Sequence, residues 1–220
     1  MTAITIKDIK QEFVNFLRNS DIFTITQRGV TTDNDTGTFA ADSTYTIDKT
    51  NVKNIRSVEV ASVVLTYGAD YTVDFDFLDT TVKCKITFTS AQTGAYDIEY
   101  DYGTDKIYPD FPKPNLKISS FPRIATDVII VNTVDAGFDV LGSDIDVTTL
   151  VYDFKTEDVS EYIDAIRAAV ITNRKDFYYL GLYVKPFAVG PILKAPNEMG
   201  RDKLWQQNID VRGRFKYEKP

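Results

Sequence analysis

The chain has 220 residues, 25 basic and 32 acidic side chains, a net charge of −7 and 43% apolar residues, which suits one large or two modest domains. It has no histidine and a single cysteine, which excludes a Ser-His-Asp or Cys-His nucleophile pair, a thiolate zinc cluster, an imidazole-ligated metal and an internal disulfide. No apolar run reaches the roughly 18 residues of a membrane span, and the start lacks a basic stretch followed by an apolar h-region, so neither a membrane protein nor a secretory precursor is expected.

Ile6, Ile9, Phe13, Phe16 and Leu17 recur at spacings of three and four, which predicts an amphipathic helix over 5–19. Thr5 stands at its N-cap, with Asp8 where a capping box prefers Glu or Gln. From Ile22 the period changes to two. Phe23 to Thr26, Tyr45 to Ile47, Val58 to Val60, Tyr71 to Phe77, Val82 to Phe88 and Ala95 to Tyr102 read as short strands. Turn chemistry at Asp33–Gly37, Tyr67–Asp70 and Gln92–Gly94 separates them and predicts a small sandwich. Asp33-Asn-Asp35-Thr-Gly37 has a faint look of a calcium loop. Its glycine comes one place early and Thr44 stands where a bidentate Glu is needed, so it is read as a turn. Cys84 alternates with Val82, Ile86 and Phe88 and reads as a small core residue.

Pro109, Pro112 and Pro114 favour a stiff extended connector over 108–115 and mark a boundary. Beyond it, 124–131 and 146–154 read as strands joined through Gly137 and Gly142. Thr156 is expected to cap a helix over 157–173, with Glu157 and Asp158 against its positive end and Val159, Ile163, Ile166 and Val170 as one apolar stripe. A strand over 180–184, a long loop over 186–202 and a closing strand over 204–215 complete the chain. A single helix covers a sheet poorly, so helix 5–19 is expected beside helix 157–173 on that sheet. Residues 22–105 then become an insertion whose ends meet through antiparallel pairing of its first and last strands. The expected class is therefore α+β. A mixed or antiparallel sheet packed by two helices comes from 1–21 plus 106–220, and an inserted all-β sandwich domain comes from 22–105.

Charge is segregated: residues 22–105 hold 13 acids and 6 bases, 126–164 hold 10 acids and 1 base, and 165–219 hold 5 acids and 11 bases. Overall acidity disfavours a free-standing nucleic-acid binder. The basic quarter either pairs with the acidic stretch inside one fold or makes a bipolar subunit whose two sides attract in a ring. In the closing strand Ile209, Val211 and Phe215 alternate with Asp210, Arg212 and Arg214. That charged face is solvated, meets a neighbour, or lines a channel for a polyanion. Trp205, the only tryptophan, is an interface anchor or an ordinary strand residue. There is no Gly-rich phosphate loop, nucleophile elbow or Walker signature, so no catalytic residue, metal or cofactor is expected.

Four stretches carry a resemblance. Thr148-Thr-Leu-Val-Tyr-Asp-Phe154 runs into Val159-Ser-Glu-Tyr-Ile-Asp-Ala-Ile-Arg-Ala-Ala169, and Gly190-Pro-Ile192 precedes Trp205-Gln-Gln-Asn-Ile-Asp-Val-Arg212. With residues 1–21 and 116–220 read together, about half the chain resembles the tail-terminator (tail-completion) proteins of long-tailed bacteriophages. The pattern around Val58-Glu-Val, Asp70-Tyr-Thr-Val-Asp and Asp97-Ile-Glu-Tyr is similar to small sandwich modules that decorate virion proteins. The resemblance implies a structural virion protein, not an enzyme, forming a hexameric ring. The ring would cap the tail tube, join it to the head connector or stopper and allow DNA to pass its lumen, at the neck of a virion assembled in the host cytoplasm. The interface residues on this reading are Arg201, Lys203, Trp205, Arg212 and Arg214.

Three alternatives stand beside it. Another neck protein, a connector or stopper, shares the size, acidity and ring habit. An adhesin or carbohydrate-binding module would use exposed Tyr67, Tyr71, Tyr96, Tyr100 and Tyr102. A carboxylate-based hydrolase would need two acids converging in one pocket.

Overall fold

The computed structural model describes residues 6–74, 83–109, 121–137, 140–179, 182–184, 188–195 and 203–218. In chain order the elements are α1 (Ile6–Asn19), α2 (Ile25–Arg28), β1 (Val30–Thr50), β2 (Val52–Val60), β3 (Val63–Val64), β4 (Tyr71–Asp74), β5 (Lys83–Gly103), β6 (Ile107–Tyr108), β7 (Arg123–Gly137) and β8 (Val140–Asp153). They continue with α3 (Thr156–Thr172), α4 (Arg174–Tyr179), β9 (Leu182–Val184), β10 (Ala188–Val189), β11 (Leu193–Lys194) and β12 (Trp205–Glu218). The chain divides into two compact units, Phe23–Asp105 and the combination of Met1–Ile22 with Lys106–Pro220. The connector expected over 108–115 falls mostly outside the described residues, as does the N-cap expected at Thr5.

The Phe23–Asp105 unit is built on β5. One side of β5 pairs with β1 from Val30↔Gly103 to Thr50↔Lys83, which brings the two ends of the unit side by side. The other side pairs with β2 over Tyr96–Tyr102 and with β4 over Lys85–Phe88. Register shifts break the β1–β5 ladder on both sides of Asp42, next to Ala41 at φ 67°. Such bulges bend a strand pair, and here they let both halves of the hairpin share one core. Phe39, Val58 and Ile98 from one half pack in the same cluster as Ile47, Tyr71 and Ile86 from the other.

Two expected turns are corrected. Asp33–Gly37 and Gln92–Gly94 lie inside β1 and β5, with Gly37 paired to Tyr96 and Gly94 to Phe39. A Cβ at Gly37 would stand 2.7 Å from the Tyr96 hydroxyl, so this glycine makes room for a ring rather than for a reversal of the chain. The turn at Tyr67–Asp70 is present, with Asp70 N donating to Thr66 O and Thr66 N to Asp70 Oδ2, both at 2.8 Å. The strand expected over Phe23–Thr26 is also corrected: Ile25–Arg28 form helix α2, whose four residues are too few for a helical period to be visible. Thr24 and Gln27 form its capping box and Gly29, at φ 73°, ends it in the left-handed region.

The second unit holds a seven-stranded sheet in the order β10-β12-β8-β7-β6, with β9 and β11 also on β12. Among the described residues of this sheet only β6 and β7 pair in parallel. Ile124, Thr126, Ile145, Val147, Thr149, Val151, Ile209 and Val211 share one face by register and are buried. Helix α1 touches β6 and β7, and α3 touches β8 and β12. Ile9, Phe13 and Leu17 of α1 are buried, as are Val159, Ile163, Ile166 and Val170 of α3. Phe13 and Phe16 meet the Phe177 ring of α4 at centroid distances of 5.8 and 4.6 Å, and α4 touches α3. Arg18 Nη2 donates to Ile107 O at 2.9 Å and ties α1 to β6. The N-cap of α3 is Lys155 with no side-chain cap bond, so Thr156 is the first helical residue and not the cap.

The α+β class is also corrected. Among the described residues 60% lie in strands and 22% in helices, so the protein is mostly β, with two sheets. The physical reason is strand length. β1 and β5 run for 21 residues each, and β7, β8 and β12 for 14 or 15, through polar and glycine-containing stretches that look like loops when read singly. Ladder hydrogen bonds hold such stretches extended once a partner strand is present. Among the described residues no helix is long and apolar enough to cross a membrane.

Asp153, at the end of β8, is buried, and burial pushes its carboxyl above the usual carboxylate range, with Asp158 adding to the effect. Ionising it in the folded protein therefore costs stability, and the cost is complete above its raised pKa and absent below the ordinary value of about 4. Asp153→Asn keeps an acceptor for Phe154 N. It is expected to raise the melting temperature at pH 7 and to lose that advantage as the pH is lowered below about 4, measured by calorimetry across pH.

Candidate assembly interface on the seven-stranded sheet

β12 pairs with β8 from Trp205↔Asp153 to Glu218↔Val140 without a register shift, and its described side chains alternate between the two faces of the sheet. Ile209 and Val211 are buried, while Arg212 and Arg214 are exposed on the opposite face. Each of these arginines faces an acid across the ladder. Arg214 Nε and Nη2 donate to Asp144 Oδ1 and Oδ2 at 2.8 and 2.9 Å, and Arg212 Nε lies 3.4 Å from Asp146 Oδ1. In the next place Asp210 accepts from Thr148 Oγ1 at 2.8 Å and from Asn208 Nδ2 at 3.0 Å. The face is a ladder of paired charges, and a pairing of guanidinium with carboxylate removes the net positive field that a polyanion needs.

Among the interface residues expected from sequence, the structure brings Arg212 and Arg214 together on this ladder. Trp205 is half-buried and belongs by alternation to the other face, beside Lys194, whose Nζ lies 6.0 Å from its ring centroid. Lys203 is exposed just before β12, and Arg201 lies outside the described residues.

The lateral edges of the sheet carry a signal that the sequence reading missed. β6 covers β7 only at Ile124 and Ala125. Past that point, among the described residues, no strand pairs with the outer edge of β7. There Ile129, Ile130 and Val131 are 54, 41 and 60% exposed, followed by a register shift between Ile130 and Asn132. The other border of the sheet, made by β9, β10 and β11, exposes Tyr183, Val189 and Leu193 at 58, 43 and 53%. Isolated exposed apolar residues are ordinary, but a long apolar open edge is a template for pairing with another chain. Three consecutive aliphatics in a strand cannot all face one core, and that pattern was visible at 129–131. The exposure of the opposite border was not, because it depends on three short strands from different places in the chain.

Tyr71 and Tyr100 are buried and Tyr67, Tyr96 and Tyr102 are half-buried, so these five rings do not form an open stacking platform for a sugar. Tyr100 and Tyr45 instead donate their hydroxyls to Asp35 at 2.8 and 2.9 Å, and burial followed by such contacts pushes both phenols upward. Cys84 is buried, and burial, with Asp74 nearby, raises its thiol to about 12, the property of an inert core residue. Asp33, Glu59, Asp97 and Glu99 line an open polar hollow of about 320 Å³ on the outer surface of β1, β2 and β5. Asp97 there accepts from Asn34 Nδ2 at 3.1 Å. Among the described residues no group of three or more acidic or cysteine side chains is arranged to hold a metal ion.

No protein family matches the chain, and no curated protein matches it.

Proposed function

We propose that the protein is a ring-building structural subunit of a virion, one that closes the tail tube of a long-tailed bacteriophage and offers the other side of the ring to the head connector or stopper. The observation that carries this reading is the pair of apolar borders on one sheet, Ile129–Val131 on β7 and Tyr183, Val189 and Leu193 on the strands beyond β12. The two borders differ from each other, so a second copy docks head to tail, and such heterologous contacts close into rings when the rotation allows. Charge does not set the docking, because Arg212 and Arg214 of the basic quarter are matched by Asp146 and Asp144 within one subunit; the apolar borders carry it. A hexamer at the neck, assembled in the host cytoplasm and contacting the tail tube protein, follows from the resemblance in the sequence. DNA crossing the lumen would meet the paired ladder of Asp144, Asp146, Arg212 and Arg214 without strong attraction, as a passage requires.

Native mass spectrometry and light scattering of the full chain, alone and with isolated tail tubes, test the assembly. Wild type is expected to form closed rings. Ile129→Lys with Val131→Lys, and separately Leu193→Lys, are expected to abolish rings while leaving the circular dichroism spectrum intact. Mixing the two variants joins the one good border of each and is expected to give dimers only. Wild type that stays monomeric even on tubes, or variants that still close rings, would overturn the assembly. Immunogold labelling along the tail shaft or at its tip, instead of at the head–tail junction, would reject the location.

A further inference from the structure

We propose that Arg123, together with Tyr108 and Tyr152, forms a binding site for an oxyanion, a carboxylate or a phosphate. Three arginines are buried among the described residues, Arg18, Arg28 and Arg123. The first donates to the Ile107 carbonyl and the second to two carboxylates. Arg123 is 7% exposed, its Nε is buried without a hydrogen-bond partner, and no carboxylate pairs with it among the described residues. Its guanidinium carbon lies 3.4 Å from the centroid of the Tyr108 ring, and Tyr152 stands directly opposite it in the β7–β8 register.

An arginine cannot escape burial by losing its proton, as a lysine can. A stack on one aromatic ring recovers only part of the hydration that a guanidinium gives up. Tyr108 and Tyr152 also act on the guanidinium, but neither is a full negative charge. An oxyanion that accepts two bonds at once fits the planar fork of N–H donors and supplies one. The surroundings strengthen such a bond. Phe121, Ala125, Tyr152 and Leu204 form a buried cluster on the same face of the sheet, and a water-poor wall raises the electrostatic attraction. Burial also keeps the Tyr152 hydroxyl protonated, with its pKa raised to about 12, so it remains a donor and adds no competing negative charge. Tyr108 covers one face of the guanidinium, which leaves the N–H edge as the place for an oxyanion to bind.

The inference does not depend on ring formation. Its test uses dilute full-length protein and follows the Arg123 Nε–H resonance by NMR, assigned through its own side-chain connectivity, while inorganic phosphate replaces chloride at constant ionic strength. A saturable shift of that resonance, independent of protein concentration and weakened at least tenfold in Tyr108→Leu, is the result expected for a free oxyanion. A shift that instead grows with protein concentration without phosphate, and is reversed by adding phosphate, identifies the oxyanion as a carboxylate of a second copy. A resonance that responds to neither phosphate nor protein concentration overturns the proposal. So does a phosphate response that is unchanged in Arg123→Gln when followed by the melting temperature.

Discussion

Arg28→Met is expected to unfold the Phe23–Asp105 unit under conditions where wild type is stable. The Arg28 side chain is 1% exposed and joins two acids that are 0 and 2% exposed. Nη1 donates to Asp101 Oδ2 at 2.7 Å, and Nε and Nη2 reach Asp105 Oδ1 and Oδ2 at 3.3 and 2.9 Å. Asp101 also accepts from Arg56 Nε at 2.7 Å and Thr32 Oγ1 at 2.8 Å. These bonds join the α2 end of the unit to β1, β2, the end of β5 and Asp105 just beyond it. Removing Arg28 takes from Asp105 a guanidinium that reaches both its oxygens, and leaves Asp101 with Arg56 and Thr32. Losing one member of a buried ion network costs about 3–5 kcal/mol, because the buried acids lose the charge that offset their desolvation. A domain with about 5–15 kcal/mol in total cannot absorb that without a large change. Arg28→Lys is expected to fail as well, because one ammonium cannot hold two carboxylates in a fork.

Acid weakens this network. Burial alone would raise the Asp101 carboxyl, but Arg56, Thr32 and Arg28 together hold it below the usual range. Burial would likewise lower Arg28, and Asp105 with Asp101 reverses this. A carboxyl with a depressed folded pKa contributes stability above its unfolded value of about 4 and loses it as the pH falls through the folded value. Removing Arg28 therefore shifts acid unfolding to higher pH. Far-UV circular dichroism across urea and pH measures both effects. Trp205 lies outside this unit, so its emission is expected to keep the wild-type transition while the strand signal of the mutated unit disappears. Coincident loss of both signals would show that the units do not unfold separately.

Phe13→Ala is expected to have a similarly large effect, reported this time by Trp205. Phe13 is 1% exposed, and its ring stacks on Phe177 at an interplanar angle of 23°. Truncating a buried phenylalanine removes its transfer energy and leaves a cavity, about 3–5 kcal/mol in total. The opening segment and the last hundred residues are far apart in sequence but share one unit, so the lost packing lowers the urea midpoint seen by Trp205 emission. An unchanged midpoint would mean that α1 contributes nothing to the sheet on which Trp205 sits.

The elements with a clear period were legible. Ile6 to Leu17 and Val159 to Val170 repeat on the helical period, and both helices form within a residue or two of the expected ends. The alternation of Ile209 and Val211 with Arg212 and Arg214 is likewise the alternation seen in β12. Local chemistry misled at Asp33–Gly37 and Gln92–Gly94, because turn residues placed in register against a long partner strand gain more from the ladder than from reversal. It misled again in the fold class, because strands of 21 residues contain polar stretches that no window of alternation can join.

Composition and periodicity alone determined that histidine- and thiolate-cluster chemistry is absent from this chain, where the two long helices lie, and which residues of the closing strand face inward, because these depend on residue identity and neighbours a few places away. Only the tertiary structure decided that Arg212 and Arg214 are matched by Asp146 and Asp144, that Trp205 lies on the opposite face, that Arg123 is buried without a carboxylate partner among the described residues, and that apolar side chains line both borders of one sheet. Each of those facts is a pairing between residues tens of positions apart, and pairing is set by strand register and sheet order, which no local pattern of residues encodes.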